Sequence, residues 1–319
     1  MKLAYITSSS FSGSTLLSFL LNSNPQIATI SEFDVMDEIK NNPDYMCSCG
    51  DRIRDCDFFK RLEKEIKNEG VDFKLDDMDL MFYVVNNERI NRYLTQKIPF
   101  FNSSCLEFIR DFFLRRLPFI NKRIAQIFHR NKIFMEKVIE LQKGSVFLDA
   151  NKNPYRLKYL AEDYDTTAIY LYKNGIAGAY SFYKASRKLD ENPINFEQAC
   201  IRWFVEQITI NRCLNGIPSI EMISLPYSQL CARPEESIQK ICHLLGIEHT
   251  SLEDFQKVEH HIIGNVMRTA SIGGIRESTD WKDNLTEGDY TTYRKIYKKY
   301  IGRLSSVNRE IARNIWFEE

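Results

Sequence analysis

Nowhere in the 319 residues does an apolar run approach the roughly 18 that a membrane-spanning helix needs. Net charge is equally absent, because 43 Lys plus Arg balance 43 Asp plus Glu. That balance argues against a bulk nucleic-acid binder or a basic membrane-surface protein, while leaving room for a local anion site. No internal repeat or low-complexity tract is visible, which sets aside solenoids and propellers. The opening residues Met1 to Ile6 turn straight into Thr7-Ser8-Ser9-Ser10, too short an apolar stretch for a secretory signal and without its small-residue cleavage site. The expectation is therefore a cytoplasmic protein whose eight cysteines are reduced thiols. What is present is ordinary: 44% hydrophobic and 27% charged residues exclude intrinsic disorder. A chain of this length buries roughly three quarters of its unfolded surface and is within reach of one large α/β domain.

Patterning places strands and helices in alternation. Lys2 to Thr7 reads as a buried strand, Thr15 to Leu21 as a buried helix stopped by Asn22-Ser23-Asn24-Pro25, and Gln26 to Ile30 as a second strand. Residues from about 33 to 143 read as a helical insertion over the sheet edge, with few strand candidates. The strand pattern resumes at Ser145 to Asp149, Thr166 to Tyr172 and Ser219 to Leu225. Helices are expected from Pro154, near Ala177, from Pro234 to Leu245 with Gly246 as its C-cap, and in the tail from Asp289. This alternation predicts an α/β fold with a mostly parallel sheet covered on both faces, residues 1–319 forming one such domain.

Four segments carry chemistry. Ser8 to Thr15, between the first strand and first helix, aims backbone N–H groups and a helix dipole at an anion, with Ser12, Ser14 and Thr15 adding hydroxyls beside Gly13. It is not a Walker A loop, since Ser14 stands where lysine follows the glycine. Asp149-Ala150-Asn151-Lys152-Asn153-Pro154-Tyr155-Arg156 lies at the carboxyl end of a strand, where open α/β sheets bind ligands. The third segment holds Lys173 and Ser181, eight residues apart across a strand–helix junction, a spacing that carries little weight by itself. The fourth segment runs from His260-His261 through Gly264, Asn265 and Arg268 to Trp281 and Leu285. Neighbouring histidines suggest metal but lack two further spaced ligands, so a packing or hydrogen-bonding role is expected. Cys47, Cys49 and Cys56 offer three thiolates with no fourth ligand at matching spacing, and the expectation is that they bind no zinc.

Ser12-Gly13-Ser14-Thr15-Leu16-Leu17, Asn24-Pro25 and Ser31-Glu32 resemble the 5′-phosphosulfate loop of sulfotransferases that use 3′-phosphoadenosine 5′-phosphosulfate (PAPS). The other segments are similar to the family's D-x-[SN]-K-x-P-x-R, to its R-[DN]-P followed by serine, and to H-x-x-x-G-N-x-M-R of bacterial members. Cys47-Ser48-Cys49-Gly50 with Cys56 resembles a C-x-C-G segment of the same bacterial enzymes, and Tyr227 to Leu230 a structural Y-x-x-L segment. Three departures stand out. Phe11 replaces the basic residue before Ser-Gly, Lys173 replaces arginine, and Gly175 replaces proline.

The resemblance implies a P-loop-type three-layer fold and sulfuryl transfer from PAPS to an acceptor hydroxyl or amine, with no metal. It implies that Ser12, Gly13, Ser14, Thr15 and Lys152 serve the phosphosulfate, that Lys173 and Ser181 hold the 3′-phosphate, and that Gly264, Asn265 and Arg268 close over the nucleotide. Lysine in place of arginine loses the bidentate fork, so looser 3′-phosphate recognition is expected. Glu32, twenty residues after Ser12, is the expected general base, with a histidine second in line. The helical insertion is expected to shape the acceptor side, whose chemical class its composition does not name. The alternative is a catalytically inactive nucleotide-binding protein of the same fold, motivated by Phe11 and Lys173. A nucleotide kinase is disfavoured by the missing Walker lysine.

Overall fold

The computed structural model describes residues 1–33, 37–40, 42–95, 104–189, 192–218, 220–253, 255–257, 260, 274–302 and 313. In chain order the elements are β1 (Lys2–Ser8), α1 (Ser14–Asn22), β2 (Ile27–Ala28), α2 (Asp37–Lys40), α3 (Asp57–Asn68), α4 (Glu88–Thr95) and α5 (Ser104–Arg116). There follow α6 (Pro118–Gln142), β3 (Val146–Lys152), α7 (Pro154–Asp163), β4 (Asp165–Tyr172), α8 (Gly175–Leu189) and α9 (Phe196–Asn215). The chain continues through β5 (Glu221–Pro226), α10 (Tyr227–Ala232), α11 (Pro234–Leu244), α12 (Asp280–Asn284) and α13 (Glu287–Ile301).

Among the described residues five strands form one sheet in the order β2-β3-β1-β4-β5, every pairing parallel. Strand β1 is central and buried on both faces, and its period of two feeds two cores. Leu3 and Tyr5 point into one core with α3, α6, α7, α9 and α13, while Ala4 and Ile6 point into the other with α1 and α11. Helix α1 buries Leu16, Leu17, Leu20 and Leu21 against the second core. Each such side chain contributes about 1.5–3 kcal/mol when withdrawn from water. Buried residues of the insertion, among them Phe59, Phe73 and Phe134, share the first core with Leu3 and Tyr5 of the sheet. No helix among the described residues is long and apolar enough to cross a membrane.

Two differences from the sequence expectation shape the site. Strand β2 is shorter than Gln26 to Ile30, because a side chain replaces the next rungs of its ladder. The Gln142 amide accepts from Thr29 N at 2.8 Å and donates to Thr29 O at 3.0 Å. The chain then turns through Ser31 in the left-handed region (φ 68°) and presents Glu32. Strand β3 is longer than expected and runs to Lys152. Its register against β1 slips by one residue, from Tyr5 opposite Asp149 to Thr7 opposite Lys152. Such a bulge re-aims the side chain beyond it, and Lys152 follows in the left-handed region (φ 66°). Residues 71–87 of the insertion carry no helix or strand, only a single bridge between Lys74 and Asp77.

Candidate active site

The parallel sheet aligns its carboxyl ends, and the strand order sets the order of functional groups along that edge. Glu32 follows β2, Lys152 ends β3, the Ser9–Gly13 loop follows β1, and Lys173 follows β4. Register keeps neighbours level, since Thr7 lies opposite Lys152 and Ser8 opposite Leu171.

The loop is built around Gly13, which caps α1 in the left-handed region (φ 89°). A Cβ there would stand 2.1 Å from the Tyr227 ring, so glycine is required by both conformation and contact. Helix α1 has no acidic residue in its first turn and no side-chain cap. A helix N-terminus favours an anion, and the buried hydroxyls of Ser12, Ser14 and Thr15 lie at this one. Behind the loop runs a polar chain that sequence reasoning missed. Ser12 Oγ bonds Ser9 Oγ at 2.6 Å, Gln207 Nε2 donates to Ser9 Oγ at 2.9 Å, and the Tyr170 hydroxyl donates to Gln207 Oε1. Gln207 comes from the long helix α9, and only the tertiary packing brings it under the loop. Phe11, in place of the expected cation, sits at φ 63° and sets its ring edge-on to Phe182 with centroids 5.5 Å apart.

Lys152 Nζ and Glu32 Oε1 form an ion pair of 2.6 Å. The Glu32 backbone is held by its neighbours: Ala150 N donates to Ser31 O at 3.2 Å, and Phe33 N donates to Asn151 Oδ1 at 2.7 Å. Asp149 and Arg156, from the same motif, are fully buried and paired at 3.2 Å, with the guanidinium 4.7 Å from the Phe33 ring centre. They brace the Glu32 turn from beneath. Glu32, Lys152, Ser8 and Ser10 open into a cavity of about 500 Å³ whose far wall includes Met81, Tyr83, Asn91 and Arg92 of the insertion.

On the other side of the loop, Lys173 Nζ donates to Ser181 Oγ at 3.2 Å and lies 5.0 Å from the Tyr227 ring centre. Burial pushes the Lys173 pKa below the ordinary lysine range, opposed by Glu277. This pair lines a second cavity of about 230 Å³ shared with Lys184, Lys188 and Trp281. Gly175 opens α8 where a Cβ would stand 1.8 Å from the Tyr293 hydroxyl, so a side chain there, proline included, requires the buried Tyr293 to move. Gly264, Asn265, Arg268 and His261 lie outside the described residues.

Two expectations are corrected. His260 is not in the Glu32 cavity; it lines a different cleft together with Cys49, Cys56 and Arg61. It is therefore not placed as the second-choice base. The three thiols also do not lack a fourth partner, because His260 Nδ1 lies 3.6 Å from Cys56 Sγ and 3.8 Å from Cys47 Sγ. The signal was invisible because His260 enters from more than two hundred residues away. The Cys47 thiol, the His260 ring and the start of α3 push Cys56 down to about 3, while Cys47 and Cys49 are pushed up.

A parallel sheet in this order, with an anion loop between its first strand and first helix and cations on both flanking strand ends, defines a P-loop-type group-transfer domain. The sulfotransferase family model matches residues 5–251, and the chain belongs to that family. Two solved structures share the fold. The sulfotransferase domain of the Synechococcus PCC 7002 olefin synthase is 13% identical over 93% of this chain and 94% of its own, with a TM-score of 0.50. The sulfotransferase domain from the curacin biosynthetic pathway is 14% identical over 92% and 96%, with a TM-score of 0.50. No curated protein sequence matches the chain.

Proposed function

We propose that this sulfotransferase takes its sulfuryl group from PAPS and passes it to an acceptor bound in the cavity beside Glu32. The reading rests on one arrangement, the sequence Glu32, Lys152, loop, Lys173 along the carboxyl edge of four adjacent strands. The α1 amides and Lys152 serve the 5′-phosphosulfate. Lys173, with Ser181 at its side and Lys184 and Lys188 in the same cavity, meets the 3′-phosphate. That phosphate is what separates this donor from an ordinary nucleotide.

The transfer is an in-line displacement. The acceptor oxygen forms a bond to sulfur while the bond from sulfur to the bridging oxygen breaks, and the electron pair leaves with the 5′-phosphate. Charge therefore builds on the bridging oxygen, where preorganised N–H groups and the Lys152 ammonium lower the barrier. Glu32 takes the acceptor proton. The 2.6 Å contact couples these two roles: an incoming phosphosulfate competes for Lys152, and the carboxylate so released is free to accept a proton. Gly264, Asn265 and Arg268 complete the nucleotide site. Met81, Tyr83, Asn91 and Arg92 contact the acceptor, which gives the insertion its part in substrate choice.

Calorimetric titration with 3′-phosphoadenosine 5′-phosphate (PAP), alongside transfer of labelled sulfate from PAPS to a broad acceptor panel, tests the reading. The expected result is tight binding that needs the 3′-phosphate, and labelled product. Equal affinity for the nucleotide with and without its 3′-phosphate refutes the donor assignment, and binding without transfer to any acceptor favours the inactive alternative.

A further inference from the structure

Outside the cleft just described, one cluster of ligand-type side chains has no part in sulfuryl transfer. Residues 45–53 fold back on themselves: Ile53 N donates to Tyr45 O at 3.0 Å and Cys47 N to Asp51 O at 2.7 Å. The turn between them closes through Gly50 in the left-handed region (φ 98°), with Gly50 N donating to Cys47 O at 3.1 Å. This knuckle aims the Cys47 and Cys49 sulfurs the same way. Cys56 arrives as the N-cap residue of α3, where the helix dipole favours a thiolate. His260 completes the group, its ring stacked on Phe58 at 4.5 Å and 9°.

The ligand atoms of Cys47, Cys49, Cys56 and His260 all lie within 4.8 Å of one another. Three of the separations are 3.6, 3.7 and 3.8 Å. Tetrahedral zinc, with bonds of about 2.3 Å to sulfur and about 2.0–2.1 Å to nitrogen, requires edges of about 3.8 Å between sulfurs and about 3.6 Å between sulfur and nitrogen. These three separations match the edges of such a tetrahedron, and all four atoms lie within 4.8 Å of one another. Cys47 and Cys56 are also almost wholly buried, at 0% and 1% exposure, and the imidazole is held in plane by an aromatic face. Packing alone explains neither why four such atoms converge nor why three sulfurs crowd one imidazole nitrogen.

We propose that Cys47, Cys49, Cys56 and His260 bind a structural zinc ion. Three thiolates and one neutral imidazole are a soft, nitrogen–sulfur set that suits zinc and not magnesium or calcium. Binding forms three Zn–S bonds and one Zn–N bond and releases to solvent the thiol protons still present. Four protein ligands close the coordination sphere, so this zinc holds no substrate and activates no water. Its work is to fasten the knuckle and the start of α3 to residue 260, across a sequence separation of 204. A cross-link closing so long a loop restricts the unfolded chain strongly. In the sequence His260 precedes Gly264 by four positions.

The test reads metal and not turnover, so its outcome is independent of the donor and acceptor assignments. The full chain is produced in zinc-replete medium without an affinity metal, then equilibrated with a mild chelator and analysed for zinc and for free thiols. One zinc per chain is expected, with three thiols protected until a strong chelator is added. Cobalt exchanged into the wild-type chain should show the visible bands of a tetrahedral site and a thiolate-to-cobalt charge-transfer band. Cys49→Ser and His260→Gln should each retain about tenfold less zinc under the same chelator, whereas His260→Cys should keep it. A zinc-free wild-type chain overturns the proposal, as does a Cys49–Cys56 disulfide detected by mass. Zinc content unchanged in both Cys49→Ser and His260→Gln overturns it too. Should the variants misfold, the wild-type cobalt spectrum decides: absence of the tetrahedral thiolate bands refutes the site.

Discussion

Replacing Glu32 by glutamine separates the two jobs that the Glu32–Lys152 pair joins. Glutamine keeps the size of the side chain and one oxygen facing Lys152 Nζ, which now lies 2.6 Å from the carboxylate. It loses the basicity and the charge. Loss of a general base slows turnover by about 10²–10⁴, equivalent to about 2.7–5.4 kcal/mol on the barrier. The effect on nucleotide binding has the opposite sign. A charge-assisted contact contributes about 1.5–3 kcal/mol and a neutral one about 0.5–1.5 kcal/mol. Lys152 is therefore held about 1 kcal/mol less tightly by glutamine and is more available to a phosphate, so PAP should bind about three- to tenfold more strongly. Transfer from labelled PAPS measures the first quantity and calorimetry with PAP the second. Lys152→Met is the control, expected to lower both turnover and affinity. Turnover of Glu32→Gln within about threefold of wild type across pH 6 to 8 would refute the assignment of the base. PAP affinity falling in step with turnover would mean that Glu32 only holds the site together.

Burial depresses the Lys173 pKa, and a bound 3′-phosphate restores its charge, so binding takes up a proton once pH exceeds the depressed value. PAP affinity should be flat below that pH and then fall about tenfold per pH unit up to the ordinary lysine range, and Lys173→Arg should abolish the fall. Affinity for a nucleotide lacking the 3′-phosphate should show no such slope. Gly13→Ala places a methyl group at φ 89° and 2.1 Å from the Tyr227 ring, and should cost about 1–3 kcal/mol in denaturant unfolding. Tyr227→Ala in the same chain should recover part of that loss. Gly175→Pro, which restores the family's usual residue, should destabilise this chain because of the Tyr293 hydroxyl at 1.8 Å, and should be better tolerated beside Tyr293→Phe.

The strands were legible because each is short and bounded by turn residues, and β4 is in addition rich in β-branched and aromatic residues. Helix α11 was placed within a residue, since Pro234 starts it and Gly246, at φ 64°, follows its end. The anion loop, Lys152 and the Lys173–Ser181 pair were legible for a similar reason: each is a local motif at a strand's carboxyl end, and parallel strands gather such ends along one edge. The exact ends of β2 and β3 were not legible. Gln142, contributed by α6, replaces the last rungs of β2, and the bulge that delivers Lys152 depends on register with β1. No local pattern encodes either contact.

The groups that escaped the sequence share one property, which is that each acts across a long separation on something already legible. Gln207 is an unremarked polar residue in an apolar helix until it meets Ser9, 198 residues earlier. Arg156 looks like a cation for an anionic ligand until its complete burial against Asp149 and Phe33 makes it a brace. The departures from the family pattern follow the same logic. Gly175 leaves room for Tyr293, whose hydroxyl would stand 1.8 Å from a Cβ there, and Phe11 exchanges a cation for an aromatic contact with Phe182. With no basic residue at position 11, Lys152 is the cation that ends β3 beside the loop, and it is paired with Glu32. If Glu32 is the base, as proposed, its carboxylate must release the lysine to the donor before it takes up the acceptor proton. In the proposed mechanism the 2.6 Å contact orders donor binding before proton acceptance, so initial-rate kinetics should show PAPS binding before the acceptor, and productive binding in the reverse order would refute that ordering.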